Sequence, residues 1–256
     1  MKRDELDKMF DLEDRHWWFV ARRKIIFAVL SRFLSGPTAI LDAGCGTGRM
    51  LLDLSRFGEV SGIDESPEGV AYAHARGFLG VYQALITAIP FPDASFEAVT
   101  CLDVLEHTAD DRAAIKELGR VLRPGGILLI TVPAFRFLWS GHDVALSHMR
   151  RYRAGEIRRL VESAGLDVLK LSYFNTILFP GVVVTRRCRA LFARPESAPS
   201  SDTFRMPSSI ANATFLRLFQ SEAALLSFLD LPFGASIMCV GRKPRVVEDR
   251  CCPSST

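Results

Sequence analysis

The chain has 256 residues, 48% of them apolar, and a formal charge of +3. That length fits one large domain or a domain with an insert, and the near-neutral balance carries no global signature of nucleic-acid binding. The start, Met1-Lys2-Arg3-Asp4-Glu5, lacks an apolar signal core, no run reaches the ~18 apolar residues of a membrane span, and six scattered cysteines without metal-ligand spacing read as reduced thiols, so a cytoplasmic protein is expected.

Residues 1–36 read as a helical cap. Ile25, Ile26, Val29, Leu30 and Phe33 share one helical face. Ahead of them, His16-Trp17-Trp18-Phe19 has two readings. It is either a lid that brings Trp17 and Trp18 to a substrate, or an aromatic staple fixing the helix to a sheet. Gly36-Pro37 ends the helix, and the apolar run Ala39–Asp42 predicts the first strand.

Gly44-Cys45-Gly46-Thr47-Gly48 follows, opening a helix over about 49–57. Such a strand–loop–helix passage brings backbone N–H groups close to a ligand. The spacing is G-x-G-x-G, one residue tighter than the dinucleotide fingerprint. Asp42, two residues before the loop, would repel a diphosphate but suit an ammonium group. Asp64 ends the second apolar run, Val60–Ile63, where an acid is placed for ribose hydroxyls. Ribose and ammonium without diphosphate describe S-adenosylmethionine (SAM) better than a nicotinamide dinucleotide.

Ser66-Pro67 predicts a helix start, with Ser66 as N-cap, and Gly77 its end. A third strand is expected near Gly80–Gln83. Phe96–Leu102 is an apolar run suited to a central parallel strand, and its end delivers Asp103, Glu106 and His107. A helix over 110–122 has Ala114, Ile115, Leu118 and Val121 as its buried stripe. Arg123-Pro124-Gly125-Gly126 is expected as a tight turn into a fifth strand at 126–132.

Four segments now stand in order: the glycine loop, Phe91-Pro92-Asp93-Ala94-Ser95-Phe96, Asp103-Val104-Leu105-Glu106-His107, and Arg120-Val121-Leu122-Arg123-Pro124-Gly125-Gly126. Together they resemble the motif series of the class I SAM-dependent methyltransferases. The pattern Glu13…His16-Trp17-Trp18-Phe19…Arg22 is similar to the start of a bacterial subgroup often associated with cell-surface glycan or lipid pathways. The resemblance implies that Asp42, Gly44 and Gly46, with Cys45 and Gly48 of the same loop, line the methionine and ribose side of the cofactor. Asp64 would take the ribose hydroxyls, Ile86 would lie near adenine, and Asp103 near the methionine. One departure stands out. Leu85 occupies the place where the family often has an acid for the adenine amino group, which leaves the backbone N–H of Ile86 for that contact.

Residues 134–152 should cross the ligand-binding edge after the fifth strand. His142 and His148, with His107, are the base candidates. Arg150, Arg151 and Tyr152 are candidates for holding an acidic or phosphorylated acceptor. The two histidines lie six apart, off a common helical face and without visible further ligands, so no metal is expected. From Arg150 to Arg194 there are ten Arg and Lys against three Asp and Glu, a local surplus of +7 that favours an anionic partner.

After a helix at 156–164 and a strand at 166–173, residues 176–234 read as a helical insert. Ile177–Ala193 and Phe215–Leu229 are apolar, Arg186, Arg187 and Arg189 stand together, and Arg194–Ser209 is a Ser- and Pro-rich loop. The insert either packs on the domain or lies at the inner face of a membrane, apolar side down. Ala235–Val240 is the last strand, and 246–256 a disordered tail.

The expected fold is α/β: a Rossmann-like, seven-stranded, mostly parallel sheet with helices on both faces and a helical insert before the last strand. The resemblance makes that last strand antiparallel. The SAM-binding α/β domain spans 37–175 and 235–245. The expected activity is SAM-dependent methyl transfer, releasing S-adenosylhomocysteine, to a small-molecule or lipid-linked acceptor. A soluble-metabolite methyltransferase and a non-catalytic SAM-binding partner or sensor are the open alternatives.

Overall fold

A computed structural model describes residues 3–192 and 205–245, with side chains from residue 5 and, in the first stretch, up to residue 188. The expected loop at 194–209, save its last residues, and the tail at 246–256 lie outside the described residues. The elements run in the order α1 (Arg3–Leu12), α2 (Trp17–Leu30), β1 (Ile40–Ala43), α3 (Arg49–Leu54), β2 (Val60–Asp64), α4 (Pro67–Ala75), β3 (Val81–Gln83), β4 (Phe96–Leu102), α5 (Asp111–Val121), β5 (Leu122–Pro133), α6 (Gly141–Ala145), α7 (Ala154–Ser163), β6 (Asp167–Phe174), α8 (Phe179–Phe192), α9 (Ser209–Phe228) and β7 (Ser236–Arg242).

The seven strands form one sheet in the order β3-β2-β1-β4-β5-β7-β6. β1 to β5 pair in parallel, and β7 runs antiparallel to both of its neighbours. The expected Rossmann-like architecture is therefore present, including the direction of the last strand. Strand order reverses between β1 and β4, so a crevice opens at their carboxyl ends, the usual ligand position in such sheets.

Alternation along the strands builds two cores. Ile40, Ala98, Leu129 and Val240 face one side, against Ile25, Ile26 and Val29 of α2, Leu54 of α3 and Phe219 and Leu226 of α9. Leu41, Val99, Leu128 and Cys239 face the other, against Ile115 and Leu118 of α5 and Ile157 and Val161 of α7. The buried stripe predicted for α5 is fully buried at all four positions.

One local expectation is corrected, and one element is added. Arg123–Gly126 is not a free turn: the ladder jumps from Phe96↔Leu122 to Ala98↔Ile127, so these residues bulge within β5, with Gly125 at φ +83°. In 134–152, Ser140 caps the five-residue α6: its backbone N–H donates to Asp143 Oδ2 at 2.9 Å. A helix that short shows no periodicity to read.

The insert packs on the domain through α9. Trp17 sits 5.5 Å from Phe215 and 5.9 Å from Phe219 between ring centroids, and its backbone N–H donates to Asn212 Oδ1 at 2.8 Å. Asn212 Nδ2 in turn donates to the Arg15 carbonyl at 2.9 Å. Trp17 is thus a staple that fixes its helix to α9 rather than to the sheet. No helix among the described residues is long and apolar enough to cross a membrane.

Candidate functional site

A cavity of about 700 Å³ opens at the carboxyl ends of β1, β2 and β4. Its floor at one end is the glycine loop. Gly44 sits at φ +82°, and a Cβ there would lie 2.3 Å from Val104 Cγ2, so both conformation and space require glycine. Asp64 ends β2 with each carboxylate oxygen already on a backbone N–H: Gly46 to Oδ2 at 2.8 Å and Ser66 to Oδ1 at 2.9 Å. These bonds fix its rotamer and leave one lone pair per oxygen for a ligand hydroxyl. Burial raises its pKa against those two bonds.

Asp42 lies beneath the loop, 2% exposed, and accepts a hydrogen bond from Thr100 Oγ1 at 2.6 Å. Burial pushes its pKa up to about 6; the Thr100 bond and Arg22 oppose that, and Asp64 adds to it. A cation arriving at this end would be welcomed by a carboxylate that is otherwise costly to ionise. Cys45 is buried beside both acids and its thiol is pushed well up, so it stays protonated. Ile86 is buried in the cavity wall, flanked by Ala84, Leu85 and Thr87.

Asp103 takes the last position before the β4 loop at φ +58°, a strained conformation for a residue with a side chain. Arg22 of α2 pairs with its carboxylate at 2.8 Å and also donates to Thr131 Oγ1 at 2.9 Å, while Thr131 donates to Asp103 Oδ1 at 3.1 Å. The guanidinium of Arg22 lies 5.1 Å from the Trp18 ring centre. The cap thus reaches the central strand through one cation.

The far end of the cavity gathers the histidines. His107 and His148 meet edge to face with ring centres 4.8 Å apart, and His142 lies 6.1 Å from His148. Burial lowers the pKa of His107 to about 4, with His148 adding to it, and that of His142 to about 3, with Arg186 adding to it; both are neutral near pH 7. His148 Nδ1 is 3.0 Å from Asp143 Oδ1. Asp143 is fully buried and also accepts from Arg151 Nε at 2.7 Å. Burial works to raise its pKa, but the His148 bond and Arg151 outweigh it and hold the carboxyl below its ordinary value. Glu106 stands beside them, fully buried, with no hydrogen-bond partner on either carboxylate oxygen among the described residues. Burial drives its pKa well up, and Asp103 adds to it. Donor atoms of Glu106, His107 and His148 all fall within 4.8 Å of one another. These three come together from the β4 loop and the segment after α6, a meeting that the spacing of His142 and His148 does not reveal.

Placement of the other predicted residues is mixed. Trp17 and Trp18 line the cavity, as does Arg151, but Arg151 spends its donors on Asp143 and on the Ala134 carbonyl at 3.0 Å. Gly48, Arg150 and Tyr152 do not line it. Gly48 packs against Ala73, where a Cβ would come within 2.8 Å. Arg150 pairs with Asp111 at 2.9 Å, and the Tyr152 hydroxyl donates to the same carboxylate at 3.0 Å, so both brace α5 rather than face a ligand.

Several wall residues went unpredicted. Glu13 is buried over the glycine loop, accepting from Thr47 Oγ1 at 2.7 Å and from Arg76 at 2.5 Å. Burial raises its pKa against those partners. Leu6 and Met9 of α1 join it as a roof, and Val182, Thr185 and Arg186 of α8 close the histidine end. Glu13 stands in the motif at the chain's start, a signal that could have singled it out; α8 offered only its arginines.

Comparison with known proteins agrees with this geometry. Residues 41–130 match the methyltransferase domain family. A protein of Mycolicibacterium smegmatis named "Probable S-adenosylmethionine-dependent methyltransferase" is 32% identical over 163 residues, 61% of this chain and 62% of that protein. A ubiquinone biosynthesis O-methyltransferase of Xanthomonas oryzae pv. oryzae is 33% identical over 142 residues, 50% of this chain and 59% of that protein. The chain spans less than two thirds of the length of these relatives. Among solved structures, the [4+2]-cyclase SpnF aligns with TM-score 0.57 at 22% identity, over 87% of this chain and 81% of that one. The YcgJ protein from Bacillus subtilis aligns with TM-score 0.57 at 20% identity, over 88% and 99%. At such identities the structures share a fold, and fold alone does not assign chemistry.

Proposed function

We propose, since the α/β core of this chain is a class I SAM-dependent methyltransferase domain, that the whole chain moves the methyl group of SAM to a hydroxyl oxygen on an amphiphilic acceptor. One observation carries the reading: a single cavity joins the glycine loop and Asp64 to the cluster of Glu106, His107, His142 and His148. The cofactor end has what a ribose and an amino-acid cation need, namely backbone N–H groups, Asp64 and Asp42. The sulfonium is already an activated electrophile, so the protein's main task is to align it with the nucleophile. A hydroxyl acceptor must also lose its proton, and the polar cluster at the far end is where that proton leaves. Trp18, Leu146, Met149 and Val182 add apolar side chains to the lining, which suits a greasy body behind a polar head.

Calorimetric titration with SAM, S-adenosylhomocysteine and NADH tests the cofactor. The first two should bind and NADH should not, and Asp64→Ala should weaken SAM by more than about tenfold, the worth of a charge-assisted hydrogen bond. Unchanged affinity in that variant would remove the ribose assignment. Binding without methyl transfer to any hydroxylated amphiphile would favour a SAM-binding partner protein instead.

Contact with a lipid surface belongs to the same proposal. It is supported by exposed apolar side chains on α8 and α9, among them Val184, Ile210 and Phe228, and by the surplus of basic residues between Arg150 and Arg194. Co-sedimentation with anionic vesicles at low salt, reversed at high salt, is the expected result. Absence of binding at low salt would leave the insert as a wall of the cavity only.

A further inference from the structure

Glu106 is the odd group in the cavity. It is fully buried, yet neither carboxylate oxygen has a hydrogen-bond partner among the described residues. A buried carboxylate without donors is costly, and in folded proteins such a group either carries a proton or holds a cation. Two imidazoles stand against it. Their donor atoms and the Glu106 oxygen lie within 4.8 Å of one another. We propose that Glu106, His107 and His148 bind a divalent first-row transition-metal ion in the cavity wall, with an open position toward the acceptor.

Three observations fit that assignment. First, the donors are one oxygen and two imidazole nitrogens. That set suits zinc, manganese, iron or cobalt, and disfavours magnesium and calcium, which take oxygen ligands. Second, His148 has the outer bond that metal-binding histidines have: Asp143 holds its Nδ1 at 3.0 Å, which leaves Nε2 for the ion. Asp143 is itself anchored by the Ser140 N–H and Arg151. Third, the segment that delivers His148 is tied to the β4 loop, since the Met149 N–H donates to the Glu106 carbonyl at 2.8 Å. Ser147, next to His148, is held at φ +57°. Metal–ligand distances of about 2.0–2.2 Å require the three donors to draw in by roughly an ångström, within reach of small side-chain rotations.

The inference rests on the methyl-transfer reading and names how its far end works. An acceptor hydroxyl bound at the open position is made more acidic by the ion. Its O–H bond breaks and the proton passes to solvent. The oxygen then bonds the methyl carbon as the S–CH3 bond breaks, leaving S-adenosylhomocysteine.

The test is titration of the purified chain with Co2+, followed by visible absorption, and displacement by Zn2+, with SAM binding measured on the same samples. One Co2+ per chain is expected, displaced by Zn2+. Glu106→Gln and His148→Ala should each weaken it by about tenfold or more, since even outer partners of such sites are worth that much. His74→Ala, which changes a histidine bonded to the Val81 carbonyl on the far side of β3, should leave Co2+ affinity intact. SAM affinity and thermal unfolding report whether each variant is folded, and His148→Ala carries the test if Glu106→Gln is not. No saturable Co2+ or Zn2+ uptake by the wild-type chain, or uptake indifferent to both substitutions, overturns the metal site. If Co2+ binds as described but SAM does not, the methyl-transfer reading falls and the metal site stands.

Discussion

Arg22 Nη2 lies 2.8 Å from the Asp103 carboxylate, tying the second helix of the cap to the end of the central strand. Asp103 is a strained residue three positions from the buried Glu106. Without Arg22, Asp103 would lose its ion pair and Glu106 one of the two cations that act on it, Arg151 being the other. Arg22→Ala should therefore cost about 2 kcal/mol, a buried-pair loss reduced because Asp103 is partly exposed. Thermal unfolding should fall by roughly 5 °C. Arg22→Lys should recover only part, because an ammonium keeps the charge but gives up the planar guanidinium that lies against Trp18. A wild-type melting temperature in Arg22→Ala would show that the pair contributes nothing.

The buried acid under the glycine loop predicts a pH dependence. The pKa of Asp42 is raised to about 6 by burial. Because the folded value lies above the unfolded one, its contribution to stability is greatest at low pH and is lost as pH rises through about 6. A cationic ligand reverses that preference: it favours the carboxylate and drives a proton off. SAM affinity should rise from about pH 5 to about pH 7 and then level, with proton release near the midpoint. Calorimetry in buffers of different ionisation enthalpy reads both effects. Asp42→Asn should flatten the profile; the same slope in that variant would assign the proton elsewhere.

Phe219 is fully buried between Trp17 and Phe174. Phe219→Ala should cost about 3–5 kcal/mol, the range for large-to-small changes in a core. Denaturant unfolding measures it. If the cost is under about 0.5 kcal/mol, the usual range of a surface change, α9 does not share the core with α2.

Gly44→Ala forces a side chain onto a residue at φ +82° with Val104 at 2.3 Å from the new Cβ. Strain of about 1–3 kcal/mol and a displaced loop should follow. SAM affinity should drop by at least about tenfold, since 1.4 kcal/mol is a factor of ten. Unfolding and titration together separate the two effects.

What could be read from the sequence was local. Gly44, Gly46, Asp64 and the α5 stripe follow from spacing over a few residues and stand in the structure where that spacing puts them, whereas Gly48 of the same loop packs against Ala73 outside the cavity. Three kinds of feature escaped. Arg123–Gly126 reads as a turn by composition, yet pairing with Phe96 draws it into a strand. Arg150 and Tyr152 read as ligand-facing because they are polar and aromatic in a promising stretch, but their shared partner Asp111 lies some forty residues away on the chain. The meeting of Glu106, His107 and His148 joins segments some forty residues apart, and no local pattern encodes it. Glu13 and Arg22 belong to the same class, since their partners Thr47, Arg76, Thr131 and Asp103 are set by how the cap docks.

The docking of Trp17 onto α9 has a consequence for synthesis. Trp17 and Asn212 are 195 residues apart in sequence, and the ribosome makes the helix long before its seat exists. Until β7 and α9 emerge, the face bearing Ile25, Ile26 and Val29 has no complete surface to cover it. Contacts that close so long a loop form slowly, and exposed apolar faces in the meantime invite association. The nascent chain therefore stays dependent on shielding until α9 and β7 are made, and a ribosome stalled within α8 would hold a sticky, uncapped sheet.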